Sequence, residues 1–499
     1  MKNLLLTALL GLFLLPVAKA QSTAETPTDG FRIAGQIKGL KDTTCVLAHY
    51  FGATQYIPKD TARVDGAGNL IFEGKKSLPQ GLFMVVVPNV APQKRYLQLL
   101  ITADQQFSFE TDTTNIVKDM KVTGSKENEL FYGYQQQLSK LSEEAQVLNM
   151  QKKIRTDAPS IAMLNKQMGD LQKQANDYRN QFLKDNPGTF AAKLFKATAE
   201  PDVPPAPKAS NGRPDSVWVF NYFKNHFWDD FDFSDERFVR TPFLQGKIER
   251  YIKELTVQVP DSLIKEADFL VNKAIVGKNS EVKYYTIYYI TSQYEQPKVM
   301  GTDGLFVHMF EKYYKTGVMT VSDSSTLKSI GERVATLKPN LVGKVLVSPV
   351  ISDTLRRPIA FSALKADYTV VFFYSPTCGH CRESAPKLKK FVDDYKGKGV
   401  DVVAIAIDQS PEEWKKFIKE FKLGNAVNGY DFTYRTDYRH QYDVWTTPTV
   451  YMLDKNKRII ARKLPVEQIE DFMLFHKRQQ AAQKTASVAP ANAKASVKK

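Results

Sequence analysis

Two cysteines separated by two residues, Cys378-Gly379-His380-Cys381, follow closely on the strand-like run Tyr368-Thr369-Val370-Val371-Phe372-Phe373. Sulfurs one helical turn apart can close into a small disulfide with little backbone movement. The first sulfur falls where a helix would begin, and the unpaired N–H groups there favour a thiolate. The chemistry on offer is thiol–disulfide exchange. Other uses of such a pair fail on their neighbours. A c-type haem attachment needs histidine directly after the second cysteine, and Arg382 stands there. A structural zinc site needs two more ligands at finger-like spacing, and neither is near. No metal, flavin or nucleotide is implied. An incidental structural disulfide is the plain alternative. The third cysteine, Cys45, sits among apolar residues and reads as a small buried hydrophobe.

The pair needs a strand before it and a helix after it, and the pattern from residue 340 to 478 offers both. Tyr368 to Phe373 reads as a buried strand, Ser384 to Tyr395 as a helix, and Val400 to Ile407 as a second strand. Ser410-Pro411-Glu412-Glu413 starts a helix running to about Leu423. Strands at Thr449 to Leu453 and Arg458 to Leu464 turn at Asp454–Lys457, and a closing helix covers about Pro465 to Lys477. Strands alternating with helices and ending in a hairpin predict an α/β sheet covered on both faces. From 479 to 499 Ala, Lys, Ser and Pro dominate, which reads as a disordered basic tail.

Upstream the pattern changes twice. Residues 30–124 carry short alternating segments, such as Phe31 to Ile37, Leu70 to Glu73, Phe83 to Val87 and Tyr96 to Ile101. Turn signals such as Asp65-Gly66-Ala67-Gly68-Asn69 separate them, which predicts an all-β sandwich. Residues 125–338 read as an all-α domain opened by a helical hairpin over 126–186. Leu138, Leu141, Ala145 and Leu148 face Leu164, Met168, Leu171, Ala175, Tyr178 and Phe182 at heptad-like spacing. A Pro-rich connector follows at 201–214. Beyond it, Trp218 to Phe223 and the aspartate-rich run Phe227 to Glu236 lack calcium-loop spacing. They read as core aromatics and helix caps. Neither upstream region shows a catalytic constellation.

A chain of 499 residues with 43 % hydrophobic content can bury more than one core. Its net charge of +15 does not point to nucleic acid, because the excess is partly in the tail and otherwise scattered among acids. Lys2, the apolar run Leu4 to Leu15, and Ala18-Lys19-Ala20 form a signal-peptide pattern over residues 1–20. Cleavage is expected after Ala20, with export to a periplasm. No other stretch approaches membrane-spanning length.

The last unit resembles the thioredoxin fold, in the exported TlpA/ResA-like branch of thiol-disulfide oxidoreductases. Three features carry the likeness: Cys378-Gly379-His380-Cys381 after a strand, Thr447-Pro448 before another, and Pro386 in the helix. The resemblance implies that Cys378 attacks and Cys381 resolves, with Gly379 and His380 between them and His380 stabilising the thiolate. Pro448 resembles the family's cis-proline facing the cysteines, and Thr447 would pair with a substrate strand. Tyr374 and Trp445 would line the substrate groove, with core packing the equal alternative for Trp445 as a single aromatic. The same four residues occur in protein disulfide isomerase, which implies a pair more oxidising than thioredoxin's. Implied partners are protein thiols and disulfides, with an external electron donor or acceptor in the envelope. The chain departs from its kin where they carry a carboxylate, having Phe372 and Ser384 there, with Glu383 displaced by one position. The upstream regions resemble accessory domains of unknown function, through Gly35, Gly74 and Asp232-Phe233-Ser234-Asp235-Glu236-Arg237. A second reading makes the protein an envelope binding or scaffold component, its thioredoxin domain a docking or redox-gated module.

Overall fold

The structure is a computed structural model that describes residues 30–88, 95–408 and 410–488. The expected signal segment and residues 489–499 lie outside the described residues. No helix among the described residues is long and apolar enough to cross a membrane. The chain divides into two compact units: residues up to 257 with 266–289, and 258–265 with the residues from 290 onward.

The first unit opens with strands β1 (Phe31–Lys38), β2 (Thr43–Phe51), β3 (Gln55–Val64), β4 (Asn69–Gly74), β5 (Gly81–Val86), β6 (Tyr96–Ile101), β7 (Gln106–Asp112) and β8 (Lys121–Thr123). They form two four-stranded sheets, ordered β4-β1-β7-β8 and β3-β2-β5-β6. The alternation is what buries them: Phe31, Ile33 and Ile37 on β1 point inward while Arg32 and Lys38 face water. Gly35 is required by packing, since the Phe109 ring occupies the space a Cβ would need, at 2.4 Å. Cys45 is fully buried on β2.

Helices α1 (Lys126–Ile154) and α2 (Ala158–Asp185) make the hairpin. Ser125 caps the first helix, and Asp157 caps the second by accepting the Ser160 N–H at 2.8 Å. The heptad-like residues lie buried or half-buried along the seam. Helices α3 (Phe190–Thr198), α4 (Ser216–His226), α5 (Pro242–Lys253), α6 (Pro260–Val276) and α7 (Ser280–Tyr294) follow. Phe227, Trp228, Phe231 and Phe233 enter the core, as the sequence suggests. The preceding aromatics do not: α4 has no buried residue, and Phe220 is exposed. Their helix is capped at Asp215 and lies at the surface, so the stripe covers the fold from outside. The nearby aspartates are neutralised by cations, with Lys193 at 2.7 Å from Asp232 and 3.0 Å from Asp235, and Arg237 at 2.5 Å from Asp235.

The second unit continues through α8 (Gly304–Met309) and α9 (Ser324–Leu337) to the C-terminal sheet. Its elements are β9 (Ile351–Ser352), β10 (Pro358–Ile359), β11 (Tyr368–Tyr374), α10 (Gly379–Tyr395), β12 (Val400–Ala406), α11 (Pro411–Glu420), β13 (Val427–Tyr430), α12 (Tyr438–Tyr442), β14 (Thr449–Leu453), β15 (Ile459–Arg462) and α13 (Ile469–Val488). The strand order is β10-β9-β13-β12-β11-β14-β15. β11 is central, parallel to β12 and antiparallel to β14. Val370, Phe372 and Tyr374 point into one core with α10 and α11, and Val371 and Phe373 into the other with α12. A strand buried on both faces must be apolar throughout, which is why this run shows no alternation.

Three differences from the sequence reading have physical causes. α10 begins at Gly379 rather than Ser384, so both cysteines belong to the helix start. The stretch read as tail from Gln479 is helical to Val488, because Ala, Gln and Lys are strong helix formers. The helices after Ile290 group with the C-terminal sheet rather than with the rest of the 125–338 region. A buried charge cluster links these helices to the C-terminal sheet. Arg462 on β15 pairs with Asp303 and, at 3.1 Å, with Asp443; Asp443 is also reached by Arg333 on α9 at 2.5 Å and by Lys463 at 3.0 Å. The Asp443 side chain is completely buried.

Candidate active site

β11 delivers the chain to the cysteines. Its last carbonyl, on Tyr374, accepts the Ile407 N–H at 2.9 Å, fastening the ends of β11 and β12 together. Ser375, Pro376 and Thr377 then turn the chain, with the Cys378 N–H donating to the Ser375 carbonyl at 3.2 Å. Cys378 is the N-cap of α10, with extended φ of −72° and ψ of 125°. Its sulfur therefore faces the unpaired N–H groups of the first turn. The two thiols are free, Cys378 half-buried and Cys381 fully buried one turn on.

The Thr447–Pro448 peptide is cis, and it brings the Thr447 carbonyl to 3.3 Å from the Cys378 sulfur, which donates to it. Partial burial pushes the Cys378 thiol up, but hydrogen bonds from the Thr447 side chain, from Cys381 and from the His380 backbone outweigh it, and the net shift is downward. Cys381 goes the other way. Burial pushes it up to about 12, against hydrogen bonds from the Thr447 side chain and the Ser375 backbone, with the neighbouring Cys378 adding to the rise. The site thus holds one thiol inclined to ionise and one held protonated, the division of labour that exchange requires.

The other sequence candidates fall in different places. Gly379 opens the helix beside Cys378. The His380 imidazole is 84 % exposed and lies 3.4 Å from Glu383; what reaches the Cys378 sulfur is the His380 backbone. Glu383 is equally exposed, so it is no buried substitute for the missing carboxylate. Trp445 is 49 % exposed, its ring edge-on to His440 at 5.2 Å. Tyr374 lines no groove: it is fully buried, packed against Phe372 and Phe417, with its hydroxyl unpaired. As the last residue of a strand covered on both faces, it has no route to the surface. Among the described residues no group of three or more His, Cys, Asp or Glu is placed to hold a metal.

One residue near the site escaped the sequence reading. Asp408, just past the end of β12, accepts the Ser375 hydroxyl at 2.5 Å, and the same hydroxyl lies 3.1 Å from that of Thr377. The only sequence signal was its position, an acid at the C-terminal end of a strand beside the cysteine strand.

Residues 366–459 match the family described as Thioredoxin-like. Residues 31–131 and 170–336 match two domains of unknown function, DUF4369 and DUF5106. Through its C-terminal domain the chain belongs to the thioredoxin-like family. Its relatives include the thiol-disulfide oxidoreductase ResA of Bacillus cereus, 24 % identical over 135 residues, which span 26 % of this chain and 76 % of that protein. A domain of a possible thiol-disulfide isomerase from Cytophaga hutchinsonii is 35 % identical, covering 28 % of this chain and 97 % of its own at a TM-score of 0.28. A thioredoxin-like protein from Bacteroides caccae is 19 % identical, covering 56 % of this chain and 98 % of its own at a TM-score of 0.44.

Proposed function

We propose that this protein is an exported thiol-disulfide oxidoreductase that exchanges disulfides with protein substrates through Cys378 and Cys381. The observation that carries the reading is the opposed state of the two sulfurs. Cys378 is accessible, ionisation-prone and hydrogen-bonded to the carbonyl before the cis-proline, while Cys381 is buried one turn behind it. The Cys378 thiolate attacks a substrate disulfide and forms a mixed disulfide, and the Cys381 thiolate then attacks Cys378 Sγ. The Cys378–Cys381 bond forms, the substrate leaves as a dithiol, and two electrons have passed to it. An external dithiol restores the pair, and the same steps reversed oxidise a substrate. The Thr447 carbonyl lies against the Cys378 sulfur, and the Thr447 backbone is the group a substrate strand would pair with once Cys378 is engaged. The signal-peptide pattern of residues 1–20 supports an exchange outside the cytoplasm, where disulfides persist.

Insulin reduction by the mature chain tests the activity. A rate no faster with the wild-type chain than with Cys378→Ser would refute it and leave the scaffold reading. A redox titration tests direction. The stabilised thiolate favours the dithiol form, so the potential should lie above the roughly −270 mV of thioredoxin.

A further inference from the structure

We propose that Asp408 is a positioning residue for the resolving thiol, acting through Ser375. The assignment rests on the oxidoreductase reading above and concerns its second step. Cys381 must become a thiolate to attack Cys378 Sγ, yet it is fully buried among apolar side chains. The nucleophile in exchange is the thiolate, so a buried thiol needs fixed donors aimed at its sulfur. Glu383 cannot organise them, since it points to solvent and meets His380.

Ser375 touches both cysteines. Its carbonyl accepts the Cys378 N–H at 3.2 Å, and its backbone is hydrogen-bonded to the Cys381 sulfur. Its own side chain is held by Asp408 at 2.5 Å and lies 3.1 Å from the Thr377 hydroxyl. The turn from 375 to 377 has no ladder partner of its own, so the carboxylate at the end of β12 tethers it. The Ile407 N–H to Tyr374 carbonyl bond on the adjoining residues brings the two strand ends together and sets Asp408 beside Ser375. Asp408 bonds the serine hydroxyl, which makes its role the placement of the Ser375 amide. In the step concerned, Cys381 attacks Cys378 Sγ, the Cys378–Cys381 bond forms and the bond to the substrate breaks. The departing substrate thiolate takes up the proton that Cys381 lost.

The test is a single turnover of the reduced full chain with glutathione disulfide, acid-quenched and read by mass spectrometry for the glutathione adduct at Cys378. Asp408→Ala should slow resolution about tenfold, so that the adduct accumulates. Alkylation of Cys378 by iodoacetamide should stay within about twofold of wild type. Ser375→Ala should match Asp408→Ala, and Asp408→Asn, whose amide oxygen accepts the same bond, should restore resolution to within about threefold. Resolution at the wild-type rate in Asp408→Ala would overturn the proposal, as would an equal loss of Cys378 alkylation. An Asp408→Asn chain as slow as Asp408→Ala would overturn it too, by showing that the charge matters and the bond does not. A wild-type chain that forms no adduct would refute the oxidoreductase reading itself, and the assignment with it.

Discussion

Cys45 on β2 and Cys381 on α10 are both completely buried, and burial pushes both thiols up, to about 11 and about 12. Nothing but burial acts on Cys45, on a sandwich strand where it pairs opposite Ala62. Cys381 has the Thr447 side chain, the Ser375 backbone and a second sulfur around it. Depth alone makes a cysteine inert; a helix start, a cis-proline loop and a strand-end turn converging on the same sulfur make one usable. The two units differ in the same way. In the first, polar groups close among themselves; in the second, the loops at the strand ends present groups to the cysteines.

The sharpest way to break this comparison is to remove one sulfur from each region. Cys378→Ser should reduce insulin turnover to the uncatalysed rate, whereas Cys45→Ala should leave it within about twofold, as core truncations of this size are felt in stability. A large activity loss in Cys45→Ala would end the contrast.

Next in size is the buried charge cluster of the second unit against an exposed ion pair of the first. Asp443→Ala leaves Arg462 buried with one acidic partner fewer and should cost about 3 kcal/mol in denaturant unfolding. Breaking the exposed Lys173–Asp177 pair of α2 should leave the unfolding midpoint essentially where it is in the wild type. Equal costs would show that burial does not govern these pairs.

The smallest effects are in pH. Cys378 alkylation should titrate with a midpoint below the ordinary thiol value, since its pKa is lowered. The signs of the stability contributions then differ between the sulfurs. A lowered thiol pKa stabilises the fold above the ordinary value, and that contribution is lost as pH falls through the lowered one. A raised pKa does the opposite: the contribution of Cys45 is complete below the ordinary value and is lost as pH rises toward about 11. Denaturation midpoints from pH 8 to 10.5 should therefore fall less steeply for Cys45→Ala than for wild type. Parallel slopes would sink the argument.

Much of the second unit was legible because its signals are local. The apolar run of β11, the two-residue cysteine spacing and Thr447-Pro448 are each readable within a few residues. What stayed hidden depends on contacts far apart in sequence. Ser375 and Asp408 are 33 positions apart, and Arg462 and Asp303 are 159 apart. β13 was missed because Val427-Asn428-Gly429-Tyr430 mixes poor strand formers into a short segment. There a Cβ on Gly429 would stand 2.7 Å from the Ile351 Cδ1 methyl, which would have to shift. Tyr374 looked like a groove residue because its distance from Cys378 along the chain says nothing of which side it faces.

The cluster of Arg462, Asp303, Asp443 and Arg333 also bears on how such a chain can be inherited. A recombination event that joined a foreign redox domain at residue 340 would separate Arg462 from Asp303 and Asp443 from Arg333, stranding charges in the interior. The piece that can be exchanged between genes without that penalty begins ahead of Asp303. Sequences that shuffle this redox sheet onto new partners should carry the α8–α9 segment with it, or replace all four charged residues together.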